Sequence, residues 1–209
     1  MSNRPVRVRT AGAVTSTPET PASGEPWADP GRSAVPEPLP YRLTARIETW
    51  PALDGALDAV SERVRAVPKA LRDALHGKQA GHPLHPVAVL LPTGAWMSAS
   101  VLDAVPGTGR AARTLVGVGV LAALPAVAAG LVDWSMQRRD QQRVGGVHAM
   151  ANTAALALYS LSWLRRRRGA SGVLPALLGL GLISAGGYLG GHMTYRRGVG
   201  VESRPDLPA

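Results

Sequence analysis

Apolar and polar positions divide this chain into two unlike parts. From about residue 86 to residue 195, Ala, Leu, Val and Gly dominate, and interruptions leave four apolar segments at 86–105, 114–132, 147–164 and 171–191. Each is close to the roughly 20 residues that an α-helix needs to cross a ~30 Å hydrocarbon core. The links at 106–113, 133–146 and 165–170 are short, which makes consecutive helices antiparallel neighbours. The pattern predicts an all-α protein centred on a four-helix transmembrane bundle at 81–201. Pro92 and Pro125 fall inside the first two segments and should bend them. Small residues four apart, Ala122, Ala126 and Gly130 or Gly186 and Gly190, mark close helix contacts.

The first third reads differently. Residues 1–42 are rich in Pro, Ser, Thr, Gly and Glu, too poor in large apolar residues to offset chain entropy, and predict a disordered tail. Over 43–80, Ile47, Trp50, Leu53, Leu57, Val60, Val64, Val67, Leu71 and Leu75 recur at helical spacing, interrupted by Pro51 and Pro68. Asp54, Asp58, Glu62, Arg63, Arg65, Arg72 and Asp73 occupy the other face. This predicts amphipathic helices too polar to span, lying on the membrane or against the bundle. A flexible C-terminus is expected over 202–209. No apolar segment resembling a secretory signal opens the chain.

Charge supports the membrane reading. The net charge is +9, and of 23 basic residues only Lys69 and Lys78 are lysine. The arginines flank the apolar segments, as in Arg138, Arg139 and Arg143, Arg165 to Arg168, and Arg196 and Arg197, the placement of topology-setting charges. Nucleic-acid binding would need a basic face with stacking aromatics, and none is evident. Four crossings place both ends of the chain on one side. Basic residues near the spans are more numerous there than on the side of Arg110, Arg113 and Arg165 to Arg168. The expectation is a multi-pass protein of the cell membrane with its ends in the cytoplasm.

With no cysteine, the chain cannot hold a disulfide, an iron–sulfur cluster or a thioether-linked haem. Histidine is the remaining ligand of interest. His82 and His85 precede the first apolar segment, His148 opens the third, and His192 closes the fourth. In a four-span topology all four meet at one membrane level, beside Asp133 and Tyr195. Polar residues continue from them at helical spacing: Thr93, Trp96, Ser100 and Asp103; Asn152, Tyr159 and Ser162; Tyr188 and Ser184. Polar groups avoid lipid, so these stripes should face inward. His76 lies in the amphipathic segment and has no such support.

Converging imidazoles can ligate a haem iron, bind a metal ion, or relay protons. His82, His85, His148 and His192 are therefore candidate cofactor ligands, for a b-type haem or, through His85, His148, His192 and Asp133, a metal ion. Asn152, Tyr188 and Tyr195 would support them. No His-Glu-x-x-His motif is present, no catalytic residues are assigned, and a non-enzymatic redox module is the leading reading. The alternatives are a structural or interaction protein in which the histidines form a hydrogen-bonded polar plug, and a transporter or channel.

Several stretches resemble a known family. They are Gly-His-Pro-Leu-His-Pro at 81–86, Ala-Gly-Leu-Val-Asp-Trp at 129–134, Gly-Gly-Val-His at 145–148 leading into Ala-Asn-Thr-Ala at 151–154, and Gly-Gly-Tyr-Leu-Gly-Gly-His-Met-Thr-Tyr-Arg-Arg-Gly-Val-Gly-Val at 186–201. Together they resemble the prokaryotic membrane family named domain of unknown function 2231, over about residues 45–201. The resemblance implies a four-span domain whose shared residues include His82, His85, Asp133, His148 and His192. Some members of that family carry a C-terminal Rieske iron–sulfur domain. This chain stops at Ala209 without a cysteine, so the resemblance implies that any Rieske-type redox partner is a separate protein.

Overall fold

Prolines and glycines punctuate the first helices. The computed structural model describes residues 37–200; of the tail expected over 1–42, residues 1–36 lie outside the described residues while helix begins at Leu39, and the C-terminus expected over 202–209 lies outside them as well. Helix α1, Leu39–Glu48, ends where Thr49 turns its hydroxyl back onto the carbonyls of Ala45 and Arg46. A short turn at Pro51–Leu53 leads into α2, Asp54–Ala66. Asp54 in its first turn and Arg63 and Arg65 in its last complement the helix dipole, and the extended residue Val67 before Pro68 stops it. Helix α3, Lys69–His76, is closed by Gly77 at φ +89°. A side chain there would be doubly excluded, because a Cβ would also lie 2.3 Å from the His82 carbonyl oxygen.

The remaining α-helices are α4, His85–Ala88; α5, Leu90–Asp103; α6, Gly109–Ser135; α7, Arg139–Arg167; and α8, Val173–Tyr195. The break between α4 and α5 has a local cause. Pro92 cannot donate to the carbonyl of Ala88 four residues earlier, and its ring crowds that carbonyl. Pro125, by contrast, is carried inside the continuous α6.

Helix α5 packs against α6 and α8, and α7 lies against both as well. Trp134 of α6 meets Gly145 of α7 and Gly117 meets Trp163, while His148 meets Gly190 of α8 and Tyr159 meets Gly179. These pairings make α7 antiparallel to both neighbours, so α6 and α8 run in the same direction and α7 returns the chain between them. Helices α1 and α2 rest on α7, and α3 rests on α6. The first and last described residues thus approach the same end of the bundle.

Only α6 and α8, among the described residues, are long and apolar enough to cross a membrane. At 1.5 Å per residue their 27 and 23 residues span roughly 40 and 35 Å. The expected four-helix transmembrane bundle is therefore corrected. Helix α5 has 14 residues, roughly 21 Å, because the break at Pro92 detaches α4 from it. Helix α7 has the length, at 29 residues, but begins at Arg139 within the stretch expected to be a loop. It carries Asp140 and Arg143 in its first turns and Arg165, Arg166 and Arg167 in its last, and His148, Asn152, Ser160 and Ser162 dilute its middle.

Aromatic rings fill the interior by lying on glycines of the facing helix. Trp96 and Tyr159 stack at 4.2 Å between centroids with planes 4° apart, and both are buried. A Cβ at Gly119 would lie 2.3 Å from the Trp96 ring, and one at Gly179 would lie 2.8 Å from Tyr159. The Trp96 indole N–H donates to the Val116 carbonyl at 3.3 Å, which removes the cost of burying that donor. Trp134 does the equivalent at the α6–α7 turn, donating to Gln142 O at 2.8 Å.

Candidate functional site

Carboxylates on α1 and α2 face cations at the end of the bundle. Asp54, first in its helix, accepts a fork from Arg143 of α7 at 2.8 and 2.7 Å, and the same guanidinium donates to the Glu48 carbonyl at 2.8 Å. One turn later Asp58 accepts from Arg139 at 2.5 Å. The two arginines are four apart on α7 and the two aspartates four apart on α2, so one pair of helix faces supplies both bridges. Leu57, between the aspartates, is buried with its methyl over Gly146, where a Cβ would come within 2.6 Å.

Glu48 is the most enclosed of these carboxylates, with a side chain 11% exposed. It accepts from the Arg197 Nε at 2.7 Å and from His192 Nε2–H at 3.0 Å, and a second Arg197 nitrogen meets its other oxygen. Burial pushes its pKa up, but hydrogen bonds and positive charge from Arg197 and His192 outweigh that and hold it below the usual carboxylate value of 4.5. At Asp54 the hydrogen bonds from Arg143 are the largest influence and lower the pKa against a smaller opposing effect of burial. The seam is completed on α3, where His76 Nδ1–H donates to Asp133 of α6 at 2.7 Å. Glu48 and His76 did not stand out in the sequence, because each belongs to the polar face of an amphipathic helix. The available signal was complementarity: Glu48, Asp54 and Asp58 on the first helices against Arg139, Arg143 and Arg197 at the bundle end.

The four histidines do not form a cluster. His85 Nδ1–H donates to the Ala126 carbonyl at 2.9 Å, and its ring rests on Gly130, where a Cβ would lie 2.7 Å away. His148 Nδ1–H donates to the Gly186 carbonyl at 2.8 Å, leaving Nε2 as the acceptor for the Asn152 amide at 3.1 Å. His85 and His148 are neighbours, edge to face with centroids 6.4 Å apart. His192 lies elsewhere, beside Glu48 and the Tyr41 ring at 5.8 Å. His82 is exposed, near its own Pro83 carbonyl at 3.2 Å. Tyr188 is 45% and Tyr195 82% exposed; with Tyr41, Gly191, His192 and Arg196 they line an open cleft of about 310 Å³.

The expectations of a histidine cluster, of a b-type haem or metal ion, and of a redox or electron-transfer module are corrected on this geometry. Among the described residues no three His, Cys, Asp or Glu side chains come together as metal ligands. Nε2 of His148 is taken by Asn152, Nε2 of His192 points to Glu48, and Asp133 is bonded to His76. A polar plug of histidines is corrected for the same reason, since each ring has its own separate partner. The stripe expected on the last helix also diverges: His192 is buried, whereas Tyr188 and Ser184 are exposed. Each step of four residues over-rotates by about 40° on a helix of 3.6 residues per turn, so the line leaves the inward face at Tyr188 and turns further from it at Ser184.

At the opposite end, Arg166 of α7 donates to both oxygens of Asp103 of α5 at 2.7 and 2.6 Å, with side chains 8% and 7% exposed. Beside this pair a cleft of about 400 Å³ opens between the starts of α6 and α8.

Fold and site together define an all-helical, membrane-associated protein. Its sequence matches "Predicted membrane protein (DUF2231)" over residues 81–203, more than half of the 209 residues, and the chain belongs to that family. No curated protein and no solved structure matches it.

Proposed function

We propose that this chain is a membrane-seated helical platform. Helices α6 and α8 hold it in the cell membrane, and α1–α3 form an amphipathic collar clasped to the cytoplasmic end of the bundle, lying at the membrane surface. The observation that carries this reading is the seam of carboxylates met by arginines and histidines: Glu48 with His192 and Arg197, Asp54 with Arg143, Asp58 with Arg139, and Asp133 with His76. Exposed ion pairs contribute about 0–1 kcal/mol each. The fork at Arg143, 17% exposed, and the enclosed Glu48 are better shielded from water and carry more of the clasp. The exposed apolar residues Leu39, Leu43, Trp50 and Leu71 on the collar suit a surface that rests in headgroups.

The role is then to hold the segment preceding the collar at a fixed place on the membrane, available to a partner. Cytoplasmic orientation follows the larger number of basic residues beside that end. A cysteine pair tests the clasp in the cysteine-free chain. L57C/G146C in intact membranes should lose maleimide reactivity on mild oxidation and regain it on reduction. Reactivity unchanged by oxidation, or protein released by alkaline carbonate, would refute the platform.

A further inference from the structure

The two ends of the bundle differ in how their cations are used. At the collar end arginines are matched with carboxylates, as in Arg143 with Asp54 and Arg197 with Glu48. At the other end the nearby carboxylate, Asp103, is saturated by Arg166 inside a buried pair. The side chains of Arg110 and Arg113, which line the adjacent cleft of about 400 Å³, have no hydrogen-bond or ion-pair partner among the described residues. They sit in the first turns of α6, while the start of α8 forms the facing wall.

The N-cap residues Thr108 and Gly172 place no side-chain oxygen on either helix start, and only the first N–H of α8, that of Val173, reaches a side chain, Ser171 Oγ at 3.4 Å. Thr108, placed to cap α6, turns its hydroxyl to the carbonyls of Leu102 and Val105 instead. Backbone N–H groups of two membrane-length helices and two unpaired guanidinium groups therefore border one open cavity. Leu102, Val105 and Val173 supply apolar wall beside them.

We propose that this cleft binds the phosphate of an anionic phospholipid headgroup. Guanidinium forks match phosphate oxygens, and helix N-termini favour anions. The ends of α6 and α8 are where headgroups lie when those helices are in a bilayer. A lipid is favoured over free phosphate because the apolar wall is continuous with the charged rim and can meet the glycerol backbone and the first acyl carbons. Asp103 neutralises Arg166 and keeps it positioned beneath the site, so the two free arginines are the ligands. The proposal rests on the membrane seat of α6 and α8 and is independent of the collar.

The test uses the full chain in dodecyl maltoside, with phosphatidylglycerol, phosphatidylcholine or inorganic phosphate added at matched concentration. Phosphatidylglycerol should raise the unfolding midpoint and remain bound in native mass spectrometry, and phosphatidylcholine should do neither. In R110Q/R113Q the upward shift should be lost while the lipid-free midpoint is retained. High salt should weaken the wild-type shift, a readout that does not depend on the variant folding. Equal shifts with both lipids, an undiminished shift in R110Q/R113Q, or a response to inorganic phosphate alone would overturn the lipid assignment. Carbonate extraction separates the failures: protein indifferent to phosphatidylglycerol but retained in membranes loses only this site, whereas released protein loses the seat as well.

Discussion

At Glu48 a single carboxylate receives a histidine N–H and an arginine fork, and its lowered pKa gives the clasp a pH dependence of definite sign. A carboxyl that holds its proton less tightly folded than unfolded contributes fully above its unfolded value. It loses that contribution as pH falls through the folded value. Stability should therefore be flat near neutrality in this respect and fall on acidification below the ordinary value of 4.5. E48Q should start lower and show a smaller acid-dependent loss. Unfolding midpoints of the two proteins against pH in detergent make the comparison, and the difference isolates Glu48 from Asp54, Asp73 and Asp140, which are lowered as well.

Glycines give a second prediction at this scale. G119V places atoms inside the Trp96 ring and G179V inside Tyr159. Each should destabilise by about 1–3 kcal/mol through overpacking. Gly181 has nothing within 4 Å of a built Cβ, and G181A should instead stabilise by roughly 0.5–1 kcal/mol from helix propensity. Denaturant titration of all three checks which faces are in contact, and equal losses at Gly179 and Gly181 would show that α8 is rotated from the packing described. Trp96 and Tyr159 were readable as inward from their spacing. The glycines beneath them were not, because a glycine on a contact face and a glycine on an exposed face look alike in one sequence.

Among the helices, the buried Asp103–Arg166 pair ties the end of α5 to the end of α7. Removing one member leaves an uncompensated buried charge, so R166A should cost about 3–5 kcal/mol. The double substitution D103L/R166M should cost far less, since apolar replacements of similar size can match a buried ion pair. Unfolding free energies of the two variants decide it, and equal losses would show that the pair is not sealed from water. Asp103 passes over Arg110 and Arg113, which follow it closely in the chain, and meets Arg166, one turn beyond Ser162. Helix lengths were where pattern reading failed. An apolar run reports composition, whereas α7 extends over its charged flanks to Arg139 and Arg167 and α5 is shortened by the local chemistry of Pro92.

For the whole molecule, both ends of the described chain gather at the collar. Cysteines introduced as E37C and G200C should react with a membrane-impermeant maleimide from the same side of the membrane, and A170C from the other. Reaction of E37C and G200C from opposite sides would break the packing of the collar on the bundle end. The helical class and the membrane were legible in composition. The shared site was not, because its partners are far apart in sequence: His76 and Asp133 are separated by 57 residues and Glu48 and His192 by 144. No local spacing could show that these histidines answer carboxylates singly instead of meeting one another.

That separation also sets an order of assembly. Glu48 is synthesised early, but Arg197, which completes its clasp, lies 149 residues later. The collar can begin to dock once α6 and α7 present Asp133, Arg139 and Arg143, but the Glu48 contacts close only after the last helix has been made and placed. A chain halted before α8 would keep the partners of Asp54, Asp58 and His76 and leave the Glu48 side chain unpaired. Closure of the Glu48 contacts is thus the last step by which the collar is fastened, after the pairs to α6 and α7 have formed.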